Sequence, residues 1–217
     1  IPSTFQHIGE VKMTLKHNSF TLCILLLLGC GILIANSCSD TSLQKTTGSE
    51  EQPGKEKIMT DQDKSNIGKR FPEVKAESLA KTMESIPDSA KGKVALIVVA
   101  FLQQSQPQLD SWLGPFGEKF GSQEGFTFYE VPMISSGYKF MRFVIDSGMR
   151  GGIPKNKHKN VVTMYGDVEK YMNELNLEAR YGYAFLLDKE GIIRWQGQGF
   201  STPESLKELF DLAEKLA

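Results

Sequence analysis

Cys23, Cys30 and Cys38 are the only thiols of the 217-residue chain, and none follows Cys38. Disulfide exchange, thiol nucleophilic catalysis and cysteine-ligated metal sites all depend on a thiolate. The chain beyond Cys38 can host none of them. The imidazoles are His7, His17 and His158, so that same region holds one histidine, and a His-rich zinc or copper site is excluded as well. No glycine-rich phosphate loop, Ser/His/Asp set or pair of placed carboxylates stands out, and no catalytic, cofactor-binding or metal-binding residue is assigned. Asp188 and Asp167 read as turn and helix-capping carboxylates, Trp112 as core and His158 as a surface residue. What remains is surface charge. Lys139, Arg142, Arg150, Lys155, Lys157 and Lys159 are opposed only by Asp146 between positions 139 and 159. A patch of that sign can meet anionic lipid headgroups or an acidic loop of a partner, which makes Arg150, Lys155 and Lys157 candidate partner-binding residues. A solvated helix face is the alternative. Arg194 beside Trp195 is a second candidate, because Trp and Arg dominate interface hot spots; there the alternative is packing of Trp195 on the sheet against the last helix.

Across the whole chain, 25 Lys and Arg against 26 Asp and Glu leave a net charge of −1, which gives no global reason to bind nucleic acid. Hydrophobic residues at 40% and charged residues at 24% are ordinary for a soluble domain, and the length suits one domain plus an appendage.

The appendage is N-terminal. Nothing is charged between His17 and Asp40, and Leu22 to Ala35 is an unbroken run of apolar residues and glycine preceded by Lys12 and Lys16. That is the layout of a secretory signal, with a single-pass helix as the rival. Met13 is the expected initiator. Small residues followed by cysteine resemble bacterial lipoprotein signals, with Cys38 the preferred lipidation site, Cys30 the alternative, and membrane-core cysteines without chemistry the bland reading. The expected location is a bacterial cell envelope, membrane-anchored, with the mitochondrial inner membrane as the alternative. Residues 39–70 turn polar around Pro53-Gly54 and are expected to form a flexible tether. A folded domain over 71–217 follows.

In that domain Val94 to Phe101 is eight apolar residues in a row, the pattern of a strand buried on both faces in a parallel sheet. Leu109, Trp112, Leu113, Phe116 and Phe120 recur at helical spacing, with a kink expected at Gly114-Pro115. A strand over Phe126 to Val131, a helix over Tyr138 to Met149, a strand over Asn160 to Met164 and a short helix capped by Asp167 come next. The helix is expected to place Phe140, Phe143 and Val144 on one face. Tyr183–Leu187 and Ile192–Gln196 flank the polar tip Asp188-Lys189-Glu190-Gly191 as an antiparallel hairpin. Thr202-Pro203 opens a closing helix. The order βαβαβαββα implies an α/β domain with a mixed sheet, parallel in the middle and antiparallel at one edge.

This order resembles the thioredoxin fold, and Phe71-Pro72, Lys91 to Leu96 and Phe185 to Ile193 resemble the entry and hairpin of redoxin-type domains. Laid on the chain, that superfamily's Cys-x-x-Cys falls on Gln106-Pro107-Gln108-Leu109, and its cis-proline falls near Gly182. A closer similarity is to the mitochondrial ATP synthase assembly factor family known as ATPase complex subunit ten. It is carried by Gln108 to Phe116, Arg150, Gly152-Ile153-Pro154, Met164-Tyr165-Gly166, Gly182 to Asp188, Gly191 to Trp195 and Gly199. The resemblance implies a membrane-associated, thioredoxin-like assembly factor or chaperone for a membrane complex, with the proton-channel sector of ATP synthase as client, and the absence of cysteine after Cys38 leads us to expect a redox-inactive domain. The alternative is a redoxin-like lipoprotein with thiol-disulfide or peroxide-related activity.

Overall fold

The computed structural model describes residues 65–217. The apolar N-terminal run, Cys30 and Cys38, and the tether up to residue 64 lie outside the described residues.

The sheet is organised by β3 (Val94–Ala100), all seven of whose residues are buried. It pairs in parallel with β4 (Phe126–Ser135), which pairs in parallel with β5 (Met164–Gly166). On its other side β3 pairs antiparallel with β6 (Tyr183–Leu187), which continues into β7 (Ile193–Gln198). The strand order is β5-β4-β3-β6-β7, so the sheet is mixed as expected, with β5 and β7 at opposite edges.

Strand alternation builds two cores. Val94, Leu96 and Val98 pack with Trp112, Phe116 and Phe120 of α1 (Gln106–Phe120) and with Leu209 and Ala213 of α4 (Pro203–Leu216). On the opposite face Ala95, Ile97 and Val99 pack with Val131, Met133 and Phe185 and with Tyr171 of α3 (Val168–Glu174). That second face is completed by a hairpin absent from the expected order, β1 (Val74–Glu77) and β2 (Met83–Ile86), which inserts Val74 and Ile86. Its strands, Val-Lys-Ala-Glu and Met-Glu-Ser-Ile, are only four residues long, too short for alternation to stand out from the sequence around them.

Caps behave as the residue types dictate. Asp167 Oδ1 accepts from the Lys170 N–H at 3.1 Å, and Thr202 with Ser205 forms a reciprocal capping box at the start of α4. α1 runs through Pro115. Proline offers no N–H to the carbonyl four residues back, and that carbonyl, of Ser111, accepts instead from Ser201 Oγ at 2.8 Å. The Ser201 N–H in turn donates to Ser111 Oγ at 2.9 Å, which ties α1 to the loop before α4.

Three expectations change. The strand over Asn160 to Met164 is shifted to Met164–Gly166, with Val161 and Val162 making only isolated bridges. The helix over Tyr138 to Met149 is a 3-10 turn, Ser136–Met141, followed by α2 (Arg142–Gly152). Residues 66–69, expected to belong to the polar linker, are bonded to the domain. Asn66 is buried and donates to the Leu175 carbonyl at 2.7 Å and Gln196 Oε1 at 2.9 Å, while Gly68 and Lys69 exchange backbone hydrogen bonds with Ile193. Buried side-chain amides of this kind anchor a chain without any hydrophobic pattern to announce them.

Candidate functional site

In open sheets of this type sites form beyond the carboxyl ends of the parallel strands. There β3 ends at Ala100, a 3-10 turn spans Gln103–Ser105, and α1 starts at Gln106. Several polar groups at this corner are held by hydrogen bonds. Buried Ser105 donates from Oγ to the Arg180 carbonyl at 3.2 Å. Gln108 accepts through Oε1 from the Gly182 N–H at 2.6 Å. A Cβ on residue 182 would lie 2.8 Å from Leu109 Cδ2 and 3.2 Å from Gln108 Cβ, so glycine is what allows the two segments to approach. A proline at 182 would also have no N–H to donate.

Gln106 Nε2 donates to Glu130 Oε1 at 3.0 Å and to Asp110 Oδ1 at 3.2 Å. Glu130, in the middle of β4, is 9% exposed, and burial pushes its carboxyl up to about 7. The hydrogen bond from Gln106 and the charge of Lys157 pull the other way, and Asp110 adds to the rise. This corner can hold or release a proton near neutrality and can present amides. It has no thiol, and among the described residues no group of three His, Cys, Asp or Glu is placed to hold a metal. Glu130 escaped the sequence reading; its one signal is a lone carboxylate amid Phe126-Thr-Phe-Tyr and Val131-Pro-Met.

The five candidate partner-binding residues fall into two groups. Arg150, Lys155 and Lys157 lie at the end of α2 and in the 3-10 turn Lys155–Asn160, on the connection that enters the β5 edge. Arg194 and Trp195 lie on β7, the opposite edge. Of the first group, Arg150 is half-buried and donates from Nε to the Leu79 carbonyl at 2.8 Å, whereas Lys155 and Lys157 are exposed. Of the second, Arg194 donates to Asp188 Oδ2 at 2.6 Å. Burial would raise the Asp188 carboxyl, but the N–H groups of Ile192 and Glu190 and the Arg194 guanidinium outweigh it and hold it below its usual value. Trp195 packs edge-on against Trp112 with ring centroids 5.3 Å apart, and a Cβ on Gly197 would lie 2.5 Å from its ring. Both residues keep partial exposure beside an open hollow of about 520 Å³ that Asn66, Ile67 and Gln196 also line. Asn66 Oδ1 is buried without a hydrogen-bond partner among the described residues.

The fold is that of thioredoxin-like domains. The chain is similar to the thioredoxin domain of a thiol-disulfide oxidoreductase from Bacteroides vulgatus at 19% identity and TM-score 0.52, covering 68% of this chain and 97% of that one. It is similar to a solution structure assigned to a protein disulfide isomerase from Bacteroides thetaiotaomicron at 14% identity and TM-score 0.50, covering 69% and 89%. Likeness at these identities is a likeness of fold alone. No curated protein sequence matches the chain. Among family profiles, that of the ATP10 protein matches residues 55–216, which takes in nearly all of the thioredoxin-like domain and its approach. Three quarters of the chain thus follows one family's pattern on a thioredoxin-like scaffold that has no cysteine at the start of α1, and the chain belongs to the ATP10 protein family.

Proposed function

We propose that this protein is an assembly factor that acts by binding, with the proton-channel sector of ATP synthase as its client, and that it has no redox activity of its own. The observation that carries this is the start of α1: Gln106 and Leu109 stand where the redoxin motif would place its two thiols, and Gln108 between them is latched to the Gly182 N–H at 2.6 Å. Without a thiol this corner cannot carry out disulfide exchange, and family membership supports the assembly role. Arg194 and Trp195, beside the hollow at the β7 edge, are the residues proposed to meet the client. Arg150, Lys155 and Lys157 on the other side are proposed to meet a second, anionic surface. Membrane attachment through the N-terminus, with lipid on Cys38 or Cys30 or with an uncleaved helix, is part of the same proposal. Among the described residues no helix is long and apolar enough to cross a membrane. Family membership favours the mitochondrial inner membrane, and the lipoprotein-like N-terminus favours a bacterial envelope; mass spectrometry of the mature N-terminus separates the two.

The test pairs two assays on the full chain. Insulin reduction and peroxide consumption are expected to match a buffer control, and proton-channel subunits are expected to co-isolate from solubilised membranes. Turnover in either redox assay, or failure to recover those subunits with a chain of native circular dichroism, overturns the proposal.

A further inference from the structure

α2 is mounted inside out. A surface helix ordinarily turns its apolar stripe to the core, yet here Asp146 is 5% exposed while Phe143 is 81% exposed. Polar contacts hold it that way. Asp146 accepts from the Tyr165 hydroxyl at 2.8 Å and from Arg142 Nε at 3.4 Å, Arg142 also reaches Glu77 at 2.9 Å, and Arg150 bonds the Leu79 carbonyl. Phe140 is 83% exposed, and Tyr138 and Val144 are exposed with it. Leaving each such phenylalanine in water forgoes about 2 kcal/mol of burial. An apolar patch fixed outward by a specific network marks a contact.

Charge says what covers it. Lys139 lies within the aromatic stretch, and Lys155, Lys157 and Lys159 follow α2, all exposed and without an ion pair among the described residues. Between residues 136 and 160 the sole carboxylate is Asp146, which is buried. This stretch therefore shows solvent its aromatic rings, and the charges it exposes are all positive. An acidic protein surface would match the lysines but leave the rings wet, and an apolar groove would take the rings without calling for lysines. A bilayer with anionic headgroups over acyl chains satisfies both. We propose that the face formed by Tyr138, Phe140, Phe143 and Val144 docks on an anionic lipid bilayer, rings at the acyl boundary and lysines among the headgroups. This goes beyond the assembly role and does not rest on it.

The experiment reads contact at the face itself, so anchoring by the N-terminus does not confound it. The full chain carrying Phe143→Trp, and separately Phe140→Trp, is reconstituted with vesicles of phosphatidylcholine and phosphatidylglycerol in equal parts, with and without bromine on the acyl chains. The unsubstituted chain corrects for Trp112 and Trp195. Bromine is expected to cut emission from the introduced indole about twofold, less in pure phosphatidylcholine, and less when Lys139→Glu and Lys155→Glu are added or salt is raised. Emission unaffected by bromine in both variants overturns the proposal, as does equal quenching in the two lipids. Shielding of the indole from iodide before vesicles are added also overturns it, since a segment of this chain or a second copy would then cover the face.

Discussion

α1 and α2 sit on the same sheet and use opposite rules. α1 turns Leu109, Trp112, Phe116 and Phe120 inward, and its N-terminal corner is sealed by amides. α2 turns Asp146 and Met149 inward, binds by hydrogen bonds and ion pairs, and leaves Phe143 outside, as the turn before it leaves Phe140. The contrast separates what stabilises the domain from what it presents. Apolar burial holds α1, whereas geometry-specific polar contacts aim α2. Substitutions on the two helices should therefore differ in kind.

The largest effect is expected in α1. Trp112→Ala removes a ring that is 1% exposed, stacks edge-on against Trp195 and donates to the Gly199 carbonyl at 2.8 Å. A loss of about 3–5 kcal/mol is expected in urea unfolding followed by circular dichroism. A loss below about 1 kcal/mol would mean that α1 is not the anchor of its face.

Next comes Glu130→Gln, beneath the sealed corner. With its folded value raised from 4.5 to about 7, the folded state holds a proton that the unfolded chain releases, so stability is full below 4.5 and falls as pH rises toward 7. The fall is about 3 kcal/mol. The glutamine variant is expected to flatten this slope and to be the more stable protein at about pH 8. A wild-type stability that rises through that window would show Glu130 to be ionised in the fold.

A smaller change is expected from Tyr165→Phe, which deletes the hydroxyl that Asp146 accepts from. A cost of about 1–2 kcal/mol should be confined to α2, seen as faster amide exchange over Arg142–Gly152 with exchange in β3 unchanged. Uniform acceleration would mean that α2 is not separately held. Smallest is Phe143→Ala, expected to shift stability by no more than about 0.5 kcal/mol. A loss comparable to that of Trp112→Ala would place Phe143 in a core.

The same contrast explains what could be read from residue order. β3, the β6–β7 hairpin and the capped start of α4 were legible because apolar runs, a polar tip and Thr-Pro each have one structural meaning. The absence of thiols at the start of α1 was legible for the same reason, since chemistry that needs sulfur can be excluded by residue type. Periodicity placed Phe140, Phe143 and Val144 together but carries no sign for which side faces in, so the orientation of α2 had to come from Asp146, Tyr165 and Glu77. Glu130 and Asn66 were missed because a polar residue in a pattern reads as solvent-facing until its buried partners are seen. Four residues per strand in the β1–β2 hairpin are too few for the alternation of Val74-Lys-Ala-Glu77 to stand out.

The central claim is that this scaffold serves assembly by binding. It is tested most directly by native gel analysis of ATP synthase in cells that lack the protein. The expected result is loss of the assembled proton-channel sector while the catalytic head persists, restored by the intact chain. A fully assembled complex in its absence would contradict the claim.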